Sequence, residues 1–343
     1  MDNSIIEEIT KLLDKKAEFN DDFIDFSDKR YKPLKIDKKN FNKIREIKTN
    51  KNIAFVDGGN AEILKTADLS FQLIRVYCTI YKDNKKIKSK KREFYVLISA
   101  VNKEDRIKYK AKIFNDKFLD EDDLLLDSFD ETLKTGEHRV DISKTGEIAR
   151  RLAELKIIDG LISELDSGDI ILRDGDLQAT VTNEGKYFDT IYKKALEKKV
   201  IICGLSKTSS LLTNKGNSAA FLLGNISPPG AWYYYPTVEI ENKEHQAEMF
   251  FIKLHEKSKH VFRFEVFKNN KFKIDEILAL LKDNSKDPVF LGYPYGLIEA
   301  DRFARIGNYE KEYQKTILSA KIGARLESFS APLNAHNILD KIG

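Results

Sequence analysis

The sequence predicts an α/β protein in which a mixed sheet is flanked by helices, with an N-terminal helical region and insertions around the core. Three observations carry that expectation. Apolar and alternating runs between residues 53 and 114 read as strands, and the stretch from Ser143 to Gly204 alternates helix, strand, helix and strand. Two apolar runs also end in an acid followed by glycine: Ile53-Ala54-Phe55-Val56-Asp57-Gly58-Gly59 and Ile170-Ile171-Leu172-Arg173-Asp174-Gly175.

The elements follow in order. Ile5, Ile6, Ile9, Leu12 and Leu13 recur at helical spacing among Glu and Lys, which predicts an amphipathic opening helix. The polar, Lys-rich remainder of residues 1–52 reads as connecting helices or an arm. Strands are expected over 53–57, 69–81, 94–101 and 107–114, with a basic turn at 82–92 closing an antiparallel hairpin. The acidic segment 116–131 contains Leu124, Leu125, Leu126 and Phe129 and reads as a docked loop or short helix.

From Ser143, Ile148, Leu152, Leu155, Ile158, Leu161 and Ile162 predict a helix that ends before Gly168. A strand over 170–173, a helix over 187–198 and a strand over 200–204 follow, as parallel crossovers require. Antiparallel strands followed by helix, strand, helix and strand is the element order of the ribonuclease H-like fold. Both Asp-Gly exits fall where that fold puts its metal-binding acids. The expected core domain spans 53–310, with an insertion around 206–285 and a helical tail over 311–343.

With 343 residues and 41% hydrophobic content the chain can bury an ordinary core. Lys+Arg 59 against Asp+Glu 55 leaves a net charge of only +4, so any basic surface must come from segregated charge. Cys78 and Cys203 lie inside apolar runs and read as reduced core residues. The opening residues lack a signal-peptide pattern, and no apolar run reaches transmembrane length, so the expected location is the cytoplasm with no membrane contact.

Acids at the mouths of buried strands suit Mg²⁺ or Mn²⁺, hard cations that take oxygen ligands. A two-metal phosphodiesterase requires more carboxylates than two, because its ions stand roughly 3.5–4 Å apart. Glu147, Glu154 and Glu164 lie on the intervening helix, and Glu154 is the preferred ligand; the alternative is a surface ion pair. Asp301, carried inward by a helix after Pro294-Tyr295-Gly296, is the fourth candidate, against a simple pair with Arg305. Asp176 points away from Asp174 in an extended segment.

Lys207 leaves a strand beside this site and could hold a phosphate; Arg151 and Arg302 are further candidate contacts to nucleic acid. Trp232 and Tyr233 could stack on unpaired bases or close an edge of the sheet. No HExxH, P-loop or GxGxxG motif occurs, so the chain supplies no nucleotide-hydrolysing motor of its own.

Taken together, Phe55-Val56-Asp57-Gly58-Gly59, Arg150-Arg151 with Glu154, Asp174-Gly175, Gly204-Leu205-Ser206-Lys207-Thr208, and Gly292-Tyr293-Pro294 with Ala300-Asp301-Arg302 resemble the NurA nucleases. The resemblance implies a ribonuclease H-like homodimer that cleaves DNA with Mn²⁺ or Mg²⁺, two ions being expected. It further implies 5′ to 3′ exonuclease and single-strand endonuclease activity, working with a HerA-type hexameric translocase on duplex ends in double-strand break resection. Metal binding is carried over to Asp57, Glu154 and Asp174, with Tyr293 and Asp301 at the edge of the catalytic site. The family usually shows Ser where this chain has Gly59, so Asn60 would have to substitute for it. The competing reading is a catalytically silent adaptor that keeps this fold and docks on a translocase; three retained core acids argue against it.

Overall fold

The computed structural model describes residues 2–16 and 22–323. Helix α1 (Asn3–Lys16) opens the chain, and its stripe of Ile5, Ile6, Ile9, Leu12 and Leu13 stays about half exposed. Residues 22–52, the described part of the polar stretch after it, hold short strands and a 3₁₀ turn but no α-helix, so of the expected connecting helices or arm only an arm fits. Strands β1 (Tyr31–Pro33) and β2 (Phe41–Lys43) form there because Tyr31, Ile36 and Ile44 anchor the segment against the body.

Four long strands follow: β3 (Ile53–Lys65), β4 (Leu69–Lys82), β5 (Lys85–Lys103) and β6 (Arg106–Phe114). The basic turn expected at 82–92 is in fact two residues, Asp83 and Asn84, both at positive φ. That geometry is a tight hairpin turn matched to strand twist, so the lysines beyond it run on as strand. The acidic segment docks as a short 3₁₀ turn followed by β7 (Leu126–Asp127).

The helix, strand, helix, strand series appears as α2 (Lys144–Glu164), β8 (Ile170–Asp174), α3 (Glu184–Lys198) and β9 (Ile201–Ser206). Then come α4 (Ala219–Ile226), β10 (Trp232–Tyr234), β11 (Val238–Ile240), β12 (Ala247–Lys253), β13 (Phe262–Phe267), α5 (Ile274–Asn284), α6 (Tyr295–Ala304) and α7 (Asn308–Ile322). The remainder of the expected helical tail, 324–343, lies outside the described residues.

One sheet of eleven strands runs in the order β2-β10-β12-β13-β9-β8-β3-β4-β5-β6-β7. Pairing is parallel for β3 with β8 and β8 with β9, and antiparallel elsewhere. Strands β10, β12 and β13, expected within an insertion, extend this same sheet beyond β9, while β11 pairs with β1 in a separate two-stranded sheet.

Side chains alternate between faces along each central strand. Ala54, Val56, Ile171 and Ile202 pack beneath α2 and α3 with Leu155, Ile158 and Ile191. Ile53, Phe55, Leu172 and Cys203 pack beneath α5 and α6 with Leu278, Leu281 and Leu297. Cys78 and Cys203 are buried and unbridged. Among the described residues no helix is long and apolar enough to cross a membrane.

Candidate metal centre

Parallel strands leave a crevice at their carboxyl ends, and the three parallel strands end together here. Val56 is level with Arg173, and Asp174 with Leu205. One step further along β3, Asp57 therefore stands beside Asp174 on the face covered by α6. Lys207, two residues past Leu205, projects on that same face. The sequence suggested that Asp57 ends its strand, yet β3 continues to Lys65 because its ladder with β4 persists through Gly58 and Gly59. It is the parallel pairing to β8 that stops.

Helix α6 delivers the third acid. Gly296 allows the approach: a Cβ there would lie 2.0 Å from Cδ2 of Phe55. Glu299, one turn on, accepts hydrogen bonds from the hydroxyls of Tyr77 (2.8 Å) and Tyr81 and pairs with Lys86 at 3.0 Å, which fixes the helix to β4. Asp301 then faces the strand ends, with Arg305 at 2.5 Å from its Oδ2.

Oxygens of Asp57, Asp174 and Asp301 all lie within 4.8 Å of one another. The Lys207 ammonium sits among them, 2.5 Å from Asp174 Oδ2, 2.8 Å from Asp301 Oδ1 and 3.8 Å from Asp57 Oδ2. The Gly58 N–H donates to Asp57 Oδ1 at 2.7 Å. An open cleft of about 260 Å³ leads in, bordered by these groups, Gly58, Gly59, Asn60, Arg305 and Ile306.

Gathered negative charge leaves its mark on the titration of these groups. Burial, then the charges of Asp174 and Glu154, pushes the Asp57 carboxyl up to about 8. Burial also raises Asp174, against the opposing pull of Lys207. Asp301 goes the other way: burial would raise it, but hydrogen bonds from Lys207 and Arg305 hold it below the ordinary carboxylate range. Tyr293 is buried with no hydrogen-bond partner for its hydroxyl; burial and the charges of Asp174, Asp57 and Asp301 raise it, so the phenol stays neutral.

Glu154 stands behind this trio and outside it. It reaches from α2 on the opposite face, past Gly58, where a Cβ would fall 2.6 Å from its Oε1. Its carboxylate is only 1% exposed as a residue and is held by Arg150 and by Arg173 at 3.1 Å. Glu147 instead pairs with Lys144 at 2.9 Å, and Glu164 with Lys88 and Lys90 at the surface. Asp176 turns to Arg263 at 2.7 Å.

The expected nucleic-acid contacts divide. Lys207 lies in the centre and Arg302 is exposed on α6, its guanidinium 5.9 Å from the Phe303 ring. Arg151 is not brought to the site: it turns to the buried Glu184 of α3 at 2.8 Å. Trp232 is 1% exposed, edge-on to Phe41 between β2 and β12, and has no free face for a base. Tyr233 packs on Phe250. Of the two readings, the sheet core takes Trp232, while Tyr233 stays half-buried beside it.

Arg150, Arg173 and Glu299 were not among the sequence candidates. A charged residue inside the apolar run Ile170-Ile171-Leu172-Arg173 was the available signal for one of them.

A family model described as the NurA domain matches residues 51–306. This chain belongs to the NurA family. Its structure resembles that of the NurA nuclease from Sulfolobus solfataricus at TM-score 0.52 and 14% identity, covering 93% of this chain and 94% of the other. The fold is of the ribonuclease H-like type. The catalytic domain of human Endonuclease V is a more distant likeness, at TM-score 0.39 and 9% identity over 78% of this chain and 84% of that one. None of the curated proteins matches the sequence.

Within the NurA pattern, Gly59 has a steric explanation. A Cβ there would lie 2.4 Å from the Ala304 carbonyl oxygen, so the end of α6 occupies the room a serine side chain would take. Asn60 does not substitute for that serine at the acids; its amide donates to Gln72 at 3.0 Å.

Proposed function

We propose that this protein is a metal-dependent deoxyribonuclease that hydrolyses phosphodiester bonds at the Asp57, Asp174 and Asp301 centre. The observation that carries the reading is that cluster of three acids around a cation, at the parallel strand ends of a NurA-family fold. All its donors are oxygens, which suits Mg²⁺ or Mn²⁺ over softer metals. Asp57, Asp174 and Asp301 would hold one ion, and Glu154 would join a second only by giving up its Arg150 and Arg173 partners. A divalent ion bound there supplies Lewis-acid polarisation of the phosphate and lowers the pKa of water.

The chain's own groups do the positioning. Gly58 N–H fixes Asp57 by one oxygen and leaves the other turned toward the centre. Arg305 orients Asp301 from the cleft side, and the neutral Tyr293 phenol offers a buried proton donor beside the acids. Arg302 and Arg305 give the rim positive charge for a DNA backbone. The substrate we propose is single-stranded DNA and duplex ends. Family membership supports 5′ to 3′ exonuclease and single-strand endonuclease activity, a homodimer, and work beside a HerA-type translocase in break resection in the cytoplasm.

The test is cleavage of 5′- and 3′-labelled single-stranded DNA with Mn²⁺, Mg²⁺ or EDTA, by wild type and Asp57→Ala. Metal-dependent products that Asp57→Ala loses by at least about a hundredfold support the reading and give the polarity. No cleavage by wild type in either metal, alone or with a HerA-type translocase, would replace the nuclease with a silent adaptor.

A further inference from the structure

We propose that Lys207 is a built-in cation that holds the three-acid centre shut against divalent metal, and that metal entry expels its ammonium into the open cleft. The inference rests on the reading of that centre as a metal site and adds what sets its occupancy. A divalent ion takes carboxylate oxygens at about 2.0–2.6 Å. The Lys207 nitrogen already stands at 2.5 and 2.8 Å from oxygens of two of the acids and 3.8 Å from the third. An ion bound by the same carboxylates would lie a few ångströms from a like charge in a half-buried site, where repulsion is poorly screened. The two cations exclude each other.

The surroundings allow the exchange. Lys207 follows the last residue of β9, and Lys207 and Thr208 are exposed, so its stem can swing without moving the ladder. Asp301 keeps its orientation when Lys207 leaves, because Arg305 grips the other oxygen. The fourth acid is also neutralised internally, Glu154 by Arg150 and Arg173. Arg173 is enclosed, whereas Lys207 borders the cleft. Lys207 is therefore the cation placed to leave, and its new position in the cleft is where a backbone phosphate would meet it. Metal affinity falls by the work of breaking its ion pairs.

Two measurements on the full chain test this. In calorimetric titration with Mn²⁺, Lys207→Met and Lys207→Gln are expected to bind roughly tenfold more tightly than wild type, the exchange of about one and a half kcal/mol of ion pairing. Acylation of Lys207 in the wild-type protein, followed by peptide mass spectrometry, is expected to be slow in EDTA and several-fold faster at saturating Mn²⁺. Unchanged or weaker Mn²⁺ binding by folded variants, or Lys207 labelling indifferent to metal while wild type binds it, overturns the inference and leaves the metal centre standing. Absence of Mn²⁺ binding in wild type and both variants overturns the metal centre as well.

Discussion

Asp57 is a carboxyl group placed where the surrounding fold disfavours its charge. Its value rises from the ordinary 3.8 to about 8, with burial the largest cause. Between those values the folded chain holds a proton that the unfolded chain has lost, so metal-free stability declines as pH climbs from about 4 to 8. Asp57→Asn removes that burden. The metal-free variant should be more stable than wild type by on the order of 1–2 kcal/mol at pH 8 and by little at pH 5, read from thermal melts in EDTA. A stability loss at pH 8 would contradict the assignment. The two strand-end acids were legible because each interrupts an apolar run, and Asp301 because its turn and helix could be read. Glu154 was read as a metal ligand against an ion pair with a neighbouring Arg or Lys; its pair with Arg150 at i−4 is that alternative, whereas Arg173 could not be read because it comes from β8, across the face of the sheet that α2 covers.

At the scale of elements, α6 is the adjustable part of the site. Its register on β3 depends on Gly296 lying flat on Phe55, and its tilt on Glu299 held by Tyr77, Tyr81 and Lys86. Gly296→Ala should destabilise the fold by about 1–3 kcal/mol through overpacking and should displace Asp301. Denaturant melts would show the first effect and a raised Mn²⁺ requirement for cleavage the second; wild-type values for both would mean that α6 is not set by this contact. The order and type of elements from Ile53 to Ser206 could be read from periodicity, since buried faces impose it. Two features could not. Gly58-Gly59-Asn60 reads locally as a strand exit, although pairing with β4 carries the strand on to Lys65. The lysines of β5 read as a loop, although a two-residue turn needs only Asp83 and Asn84.

Across the whole molecule, a buried polar chain joins distant segments behind the site. The Tyr31 hydroxyl meets His245 Nδ1 at 2.9 Å, His245 Nε2 meets Glu265 at 2.9 Å, and Glu265 accepts from the Leu177 N–H at 2.8 Å. Strand β1, the interior strand β13 and the exit of β8 are thereby tied together. Burial would raise the Glu265 carboxyl, but the charges of His245 and Arg263 overcome it and hold it down at about 2, against an ordinary 4.5. A depressed acid stabilises the fold above its unfolded value and loses that contribution as pH falls from about 4.5 toward 2. Glu265→Gln should therefore cost about 3 kcal/mol in urea melts at pH 7, with the gap to wild type narrowing below pH 4.5; a gap independent of pH would remove the ionised pair from the account. Residue 58 has one more bearing on how the molecule works. A backbone without a side chain makes an aperture in an otherwise closed wall, and through it a carboxylate rooted on one side exerts its field on acids that open to the other. Residue 58 is thus where the two faces of the sheet come nearest in charge, the Glu154 carboxylate on one side helping to raise the Asp57 carboxyl on the other.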